Sequence, residues 1–312
     1  MKLIRILIIS LVLVLIPFVI VTIFTSNESF SIFKIGKNND MTIKVKRTNG
    51  KIEELDFEDY IVGVIAGEIP PSFEKEAIKA QAVAARSYAL YKMKKKTDDY
   101  DVVDTVSNQV YQDEKQLKEK WQDKYLENIK KMKDAVKETS HEYLTYNGEV
   151  IEAFFFSTSV GKTENSEEVF SEKLPYLRSV DSSWDYETSP VFNDTYIFKL
   201  EDFYQKLNLD YNKKLNFKVL ETTSTGRNKK IKINDTEMDG REFASKLKLR
   251  SNYFTLKQVD NNINIQTTGY GHGVGMSQYG ANGMAKKGYN YEEILSHYYK
   301  NTKIKKINKK DV

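Results

Sequence analysis

The sequence predicts an α+β domain held outside a membrane by one N-terminal transmembrane helix. Three observations carry this. A long apolar run opens the chain, short alternating segments recur through its body, and one alanine-rich segment is apolar on nearly every helical face.

The opening run, Ile6 to Phe24, is interrupted only by Ser10, Pro17 and Thr22. As a helix rising about 1.5 Å per residue it is about 28 Å long, close to the hydrocarbon thickness of a bilayer. Lys2 and Arg5 precede it. The positive-inside rule therefore keeps the N-terminus in the cytoplasm and places the rest outside. A cleaved signal peptide would have a shorter apolar region and end in a small-residue site. No such site follows Phe24, so residues 1–25 read as a cytoplasmic stub with an uncleaved anchor and 26–40 as a polar linker. The extracytoplasmic domain is expected over 41–303, with a charged helical insertion at 95–140 and a basic tail at 304–312.

Within that domain, residues 42–66 alternate as strands do, including Met41–Lys46 and Tyr60–Ile65. Pro70 and Pro71 interrupt the pattern, and Ser72 is the expected N-cap of a helix reaching about Lys94. Phe73, Ala77, Ala80, Ala84, Tyr88 and Tyr91 form one stripe of it, and further apolar residues fill the other faces, so the helix is predicted to be central and buried. Trp121, Tyr125, Ile129, Met132 and Val136 mark an amphipathic helix in the charged insertion. Asn147-Gly148 predicts a tight hairpin turn, because both residues tolerate positive φ. Residues 192–265 mix strands and short helices, and a last helix is expected from about Tyr291 to Tyr299.

Composition removes several classes of function. The 48 basic and 44 acidic residues leave a charge of only +4, spread over solvated lysine-rich stretches, which argues against a nucleic-acid partner. An anionic polymer such as cell-wall material is a less demanding partner. With no cysteine, a disulfide framework, a Cys-ligated zinc and a thiol nucleophile are all impossible. The histidines His141, His272 and His297 show no ligand spacing, so no metal or other cofactor is expected.

Glu68 stands ahead of the buried helix in a stretch stiffened by two prolines. A half-desolvated carboxyl there would hold its proton toward neutral pH and could act as a general acid. A loop glutamate or a cap is the structural alternative. Arg86 lies in an almost wholly apolar helix and needs a partner, either a structural carboxylate or an anionic substrate group. Gly269 to Ala281 is glycine-dense, with His272, Ser277, Gln278 and Tyr279 interleaved. It fits neither a dinucleotide fingerprint nor a phosphate-binding loop. It lacks the elbow motif that would support a Ser–His–acid triad. A tight structural turn with a core histidine is the plain alternative.

Together these segments resemble the stage II sporulation protein D (SpoIID/LytB) family over roughly Leu55 to Thr302. Three blocks carry the resemblance: Glu68-Ile69-Pro70 with the helix Glu76–Leu90, Phe156 to Glu167, and Gly271 to Ala281 with Ile294 to Tyr299. The resemblance implies a peptidoglycan lytic transglycosylase that opens the MurNAc–GlcNAc bond of denuded glycan strands during engulfment of the forespore. It puts Glu68 in the catalytic position and Arg86 on an active-site arginine. Gln81, Ser157, Ser159, Tyr270, His272, Ser277, Gln278 and Tyr279 are the expected substrate contacts. The implied partners are the sporulation amidase SpoIIP and the membrane protein SpoIIM, at the septal membrane of a sporulating cell. Some members bind zinc near the second block, but with no cysteine and with Phe156 before Ser157 that property is not carried over.

Two alternatives stay open at this level. Hydrolysis would need a second carboxylate about 5–9.5 Å from the first, and Glu164, Glu167, Glu168 or Asp181 could supply it. A non-catalytic wall-binding enhancer of a partner amidase would keep the fold and need no poised acid.

Overall fold

Residues 41–96 and 98–307 are described by the computed structural model. The apolar run Ile6–Phe24, the linker 26–40 and the last residues of the basic tail lie outside them. Among the described residues, no helix is long and apolar enough to cross a membrane.

Strands β1 (Thr42–Lys46) and β2 (Ile52–Asp56) form an antiparallel hairpin. Asp56 then caps a helix, α1 (Phe57–Glu68), by accepting the Glu58 and Asp59 amides at 2.9 and 3.1 Å. Here the strand expected at Tyr60–Ile65 is corrected. Tyr60, Ile61, Val62, Val64 and Ile65 are all buried. A segment apolar on every side has no period that separates strand from helix, and the cap with burial overrides the β-branched preference. The helix ends where Ile69 turns extended ahead of Pro70, as a residue before proline must.

The alanine-rich helix is α2 (Lys75–Lys94), buried from Ala77 to Ala89 at every position but Lys79. Its cap is Glu74 rather than Ser72. The Glu74 amide finds its acceptor in a distant side chain, Asn282 Oδ1, at 2.8 Å. The segment 95–140 is no excursion. It supplies β3 (Val102–Val103), parallel to β1, and helices α3 (Glu114–Trp121) and α4 (Tyr125–Glu138). Leu117, Trp121, Tyr125, Ile129, Met132 and Val136 are buried, and α4 packs on both α1 and α2. Its lysines and acids are simply the solvated side of those helices.

The Asn147-Gly148 turn has both residues at positive φ and joins β4 (Glu142–Tyr146) to β5 (Glu149–Val150). The basic tail begins later than expected. Lys303–Lys306 form a strand antiparallel to β4. Short β6 (Phe155–Phe156) leads to a five-residue helix, α5 (Trp184–Thr188).

Beyond α5 lies a second hydrophobic core. One sheet has the order β11–β12–β7, from Phe254–Val259, Asn262–Thr268 and Asn193–Lys199. The other has the order β10–β9–β8, from Thr236–Asp239, Asn228–Ile233 and Phe217–Thr222. Helices α6 (Leu200–Leu207) and α7 (Gly240–Lys246) belong to the same region, and Phe203, Tyr204, Phe243, Phe254, Ile263 and Ile265 fill its centre. The chain then returns through β13 (Met276–Ser277), parallel to β6, into α8 (Gln278–Lys286) and α9 (Tyr291–Tyr298). Both helices pack on α2. The last strand, Lys303–Lys306, is β14.

Arg86 ties three of these elements together. It is wholly buried, and its guanidinium donates to Glu58 Oε1 at 2.9 Å, Glu58 Oε2 at 2.7 Å and the Glu142 carbonyl at 2.8 Å. Of the two readings of Arg86, its partner is the structural carboxylate, and the expected substrate contact is corrected. Removing one member of such a pair strands a buried charge. Arg86→Met is expected to lower unfolding free energy by about 3–5 kcal/mol, and Arg86→Met with Glu58→Leu to recover most of it. Urea melts at neutral pH read both.

Candidate active site

Glu68 is the last residue of α1 and is half-buried. Its surroundings come from a segment that the sequence reading left without a role. Gly63 and Gly67 lie one turn apart on one face of α1, and residues 109–112 lie directly on that face. A Cβ at Gly67 would sit 2.3 Å from the Val110 carbonyl oxygen, and one at Gly63 would sit 2.3 Å from the Tyr111 ring. Only glycine permits so close an approach. The segment is fixed by polar contacts as well. Tyr60 Oη donates to Gln109 Oε1 at 3.0 Å, Gln109 Nε2 donates to the Ala85 carbonyl at 3.2 Å, and the Gln112 amide donates to the Gly63 carbonyl at 3.2 Å.

This packing delivers the Val110 amide to Glu68 Oε1 at 2.7 Å. The Gln278 side chain approaches the same carboxyl and favours its charged form, although Gln278 Nε2 is buried without a full hydrogen bond. Lys120 acts on it electrostatically while its Nζ donates to the Ala66 carbonyl at 3.1 Å and to Gln112 Oε1 at 3.0 Å. Burial opposes all three and prevails, raising the Glu68 pKa from 4.5 to about 7. The Lys120 ammonium is lowered by its own burial, with Glu68 pulling it back up. A carboxyl so poised can deliver a proton near neutrality and be held as an anion afterwards.

The glycine-dense segment reaches this acid through the start of α8. Tyr279 is half-buried and packs edge-on against Phe73, 5.0 Å between centroids, in the loop that follows Glu68. Its amide donates to the Ser157 carbonyl at 3.1 Å. Thus Glu68, Gln278, Tyr279 and Ser157 form one neighbourhood. Gln81 is buried on α2, and neither amide atom has a hydrogen-bond partner.

Other expected substrate contacts serve the scaffold. Ser159 and Ser277 are buried and donate to Asp185 at 2.8 and 2.6 Å, and Ser182 donates to the same carboxylate at 2.6 Å. Asp185 thereby ties the second block to the third. The sequence reading missed it, since an aspartate after a tryptophan looks like any surface acid. His272 accepts the Val274 amide on Nδ1 at 3.1 Å and sits among Phe154, Phe156 and Phe170. Burial, with Arg227 nearby, lowers its pKa to about 4, so the half-buried ring is neutral at neutral pH. Tyr270 is 44% exposed, with the Arg250 guanidinium 5.4 Å from its ring centroid.

The four acids considered as a second carboxylate are engaged elsewhere. Glu164 is buried against Arg227, with Nε 3.3 Å away. Glu167 takes Arg178 Nη1 at 2.8 Å, Glu168 faces Lys229 at 3.5 Å, and Asp181 accepts the Ser183 hydroxyl at 3.0 Å. Among the described residues, no three His, Asp or Glu side chains gather where they could hold a metal ion.

Comparison with known proteins places the chain in a family. Residues 45–146, which include Glu68, Arg86 and the 109–112 segment, match the family described as stage II sporulation protein. The chain belongs to the stage II sporulation protein D family. It is 41% identical over 276 residues to stage II sporulation protein D of Bacillus subtilis (strain 168), covering 86% of this chain and 80% of that protein. Identity to the Bacillus amyloliquefaciens protein of the same name is 40% over 275 residues, with the same coverage. The amidase enhancer of Bacillus subtilis (strain 168) is 31% identical over 298 residues, which span 78% of this chain and 40% of that protein.

The raised acid has a consequence for stability. Between pH 4.5 and about 7 the folded protein holds a proton on Glu68 that the unfolded chain has released. The contribution of this group to stability therefore falls as pH rises through that window and is flat above it. Glu68→Gln is expected to be more stable than wild type at pH 8 by up to about 3 kcal/mol, with the difference closing toward pH 4.5. Thermal or urea melts across that range check it.

Proposed function

We propose that the protein is a peptidoglycan lytic transglycosylase with Glu68 as its single catalytic carboxyl. The observation that carries this reading is the pairing of burial with anion-stabilising donors at one carboxyl, beside Gln278, Tyr279 and Ser157. A binding module that only presents substrate to an amidase needs no such poised acid.

In this mechanism the Glu68 proton goes to the glycosidic oxygen between MurNAc and GlcNAc, and the C1–O bond breaks with the oxygen leaving as a hydroxyl. The new carboxylate, held by the Val110 amide and eased by Gln278 and Lys120, takes the proton from the MurNAc C6 hydroxyl. That oxygen bonds to C1 and closes a 1,6-anhydro ring. Protons balance and no water is consumed. Tyr279 and Ser157 would border the sugar beside the acid.

The sequence features add a setting. The protein would be anchored through Ile6–Phe24 with this domain outside the cytoplasm. There it would act on strands already stripped of stem peptides, beside the sporulation amidase SpoIIP and the membrane protein SpoIIM.

Incubation with peptide-free glycan strands followed by mass analysis of the products tests the chemistry. Wild type is expected to give anhydro-MurNAc ends, and Glu68→Gln to lose about 10²–10⁴-fold in rate. Undiminished cleavage by the variant removes Glu68 from the role, and water-added reducing ends from wild type would mean hydrolysis. Because the reactive form is protonated, the wild-type rate should fall on the alkaline side with a midpoint near pH 7.

A further inference from the structure

We propose that the outer face of the β11–β12–β7 sheet is a second, non-catalytic surface for the same N-acetylated glycan, extending its track beyond Glu68. This rests on the glycan reading above. The inner face of the sheet is apolar and belongs to the second core, with Ile263, Ile265, Leu256 and Phe198 turned inward. Alternation puts the other residues outward. The central strand offers Asn262, Asn264, Gln266 and Thr268 in a row. Asn264 is flanked in register by Lys257 on one side and Ile197 on the other, and Gln266 by Thr255 and Thr195.

A water-facing antiparallel sheet usually carries charges of both signs. Here no outward residue of the three strands is Asp or Glu, in a chain with 44 acidic residues. The row of amides can both donate to and accept from acetamido and hydroxyl groups. Ile197, 66% exposed on the edge strand β7, offers an apolar spot to the C–H face of a sugar ring. Lys257 and Lys199 suit the lactyl carboxylate that MurNAc exposes once its peptide is gone. A strongly acidic partner would demand more charge than this, and an apolar protein partner a larger apolar patch.

The face is joined to the proposed site through the backbone. β12 runs into Gly269 and the exposed Tyr270, which exchanges backbone hydrogen bonds with Thr158 at 3.0 and 2.8 Å. The next residue back, Ser157, accepts the Tyr279 amide beside Gln278, and Gln278 faces Glu68.

The test uses full-length protein and two readouts. In a Glu68→Gln background, Lys257→Glu with Gln266→Glu is compared with its parent for co-sedimentation with long peptide-free strands. The same two changes with Glu68 intact are assayed on a short glycan oligomer, and thermal melts check that the fold is kept. Binding to long strands is expected to weaken about tenfold while short-oligomer cleavage is unchanged. Equal binding to long strands would overturn the proposal, as would an equal loss in both assays. If wild type cleaves neither substrate but the face variant still loses long-strand binding, the catalytic reading falls and this surface stands.

Discussion

Residues 109–112 rest against α1 where Gly63 and Gly67 leave its surface bare between Tyr60 and Glu68, and the active site is built on that contact. Gly63 and Gly67 let a backbone segment approach α1 closer than any other residues would allow. Two effects of opposite sign follow from one contact. The approach shuts water away from Glu68, which favours the neutral acid. It also presents the Val110 amide, which favours the anion. Burial is the larger, and the balance leaves the carboxyl near the pH at which both forms are populated. The net displacement from 4.5 to about 7 corresponds to roughly 3 kcal/mol between the two protonation states.

The remaining buried charges are paired within the scaffold. Glu58 is neutralised by Arg86, Glu164 by Arg227, and Asp185 is surrounded by three serine hydroxyls. Each joins segments far apart in the chain. Arg86 links α1, α2 and β4, while Arg227 donates to the Gly271 carbonyl and so ties the glycine-dense segment to the second core. The Asp185 carboxylate has both oxygens hydrogen-bonded, whereas Glu164 Oε2 and Arg227 Nε and Nη2 are buried without a hydrogen bond. These residues join the segments that surround the site.

How much of this the sequence discloses varies with the kind of signal. The α+β class, the buried alanine-rich helix, the Asn147-Gly148 hairpin and the candidacy of Glu68 follow from composition, periodicity and position. The helical state of Tyr60–Ile65 does not, because a segment buried on all sides carries no amphipathic period. The 95–140 segment was misjudged for a related reason. Its charged residues dominate the composition, while its contribution to the site is a backbone amide, which no residue type reveals. The Gly63-x-x-x-Gly67 spacing was the one available hint, since two glycines on one face of a buried helix imply a close neighbour. Arg86, Ser159 and Ser277 have side chains suited to chemistry, and only their partners assign them to structure.

The account stands on the Glu68 carboxyl keeping its proton close to neutral pH. A carbon-13 NMR titration of that side chain, identified by its loss in Glu68→Gln, measures this directly. A midpoint near 7 is the predicted result. A midpoint at the ordinary glutamate value of about 4.3 would contradict it.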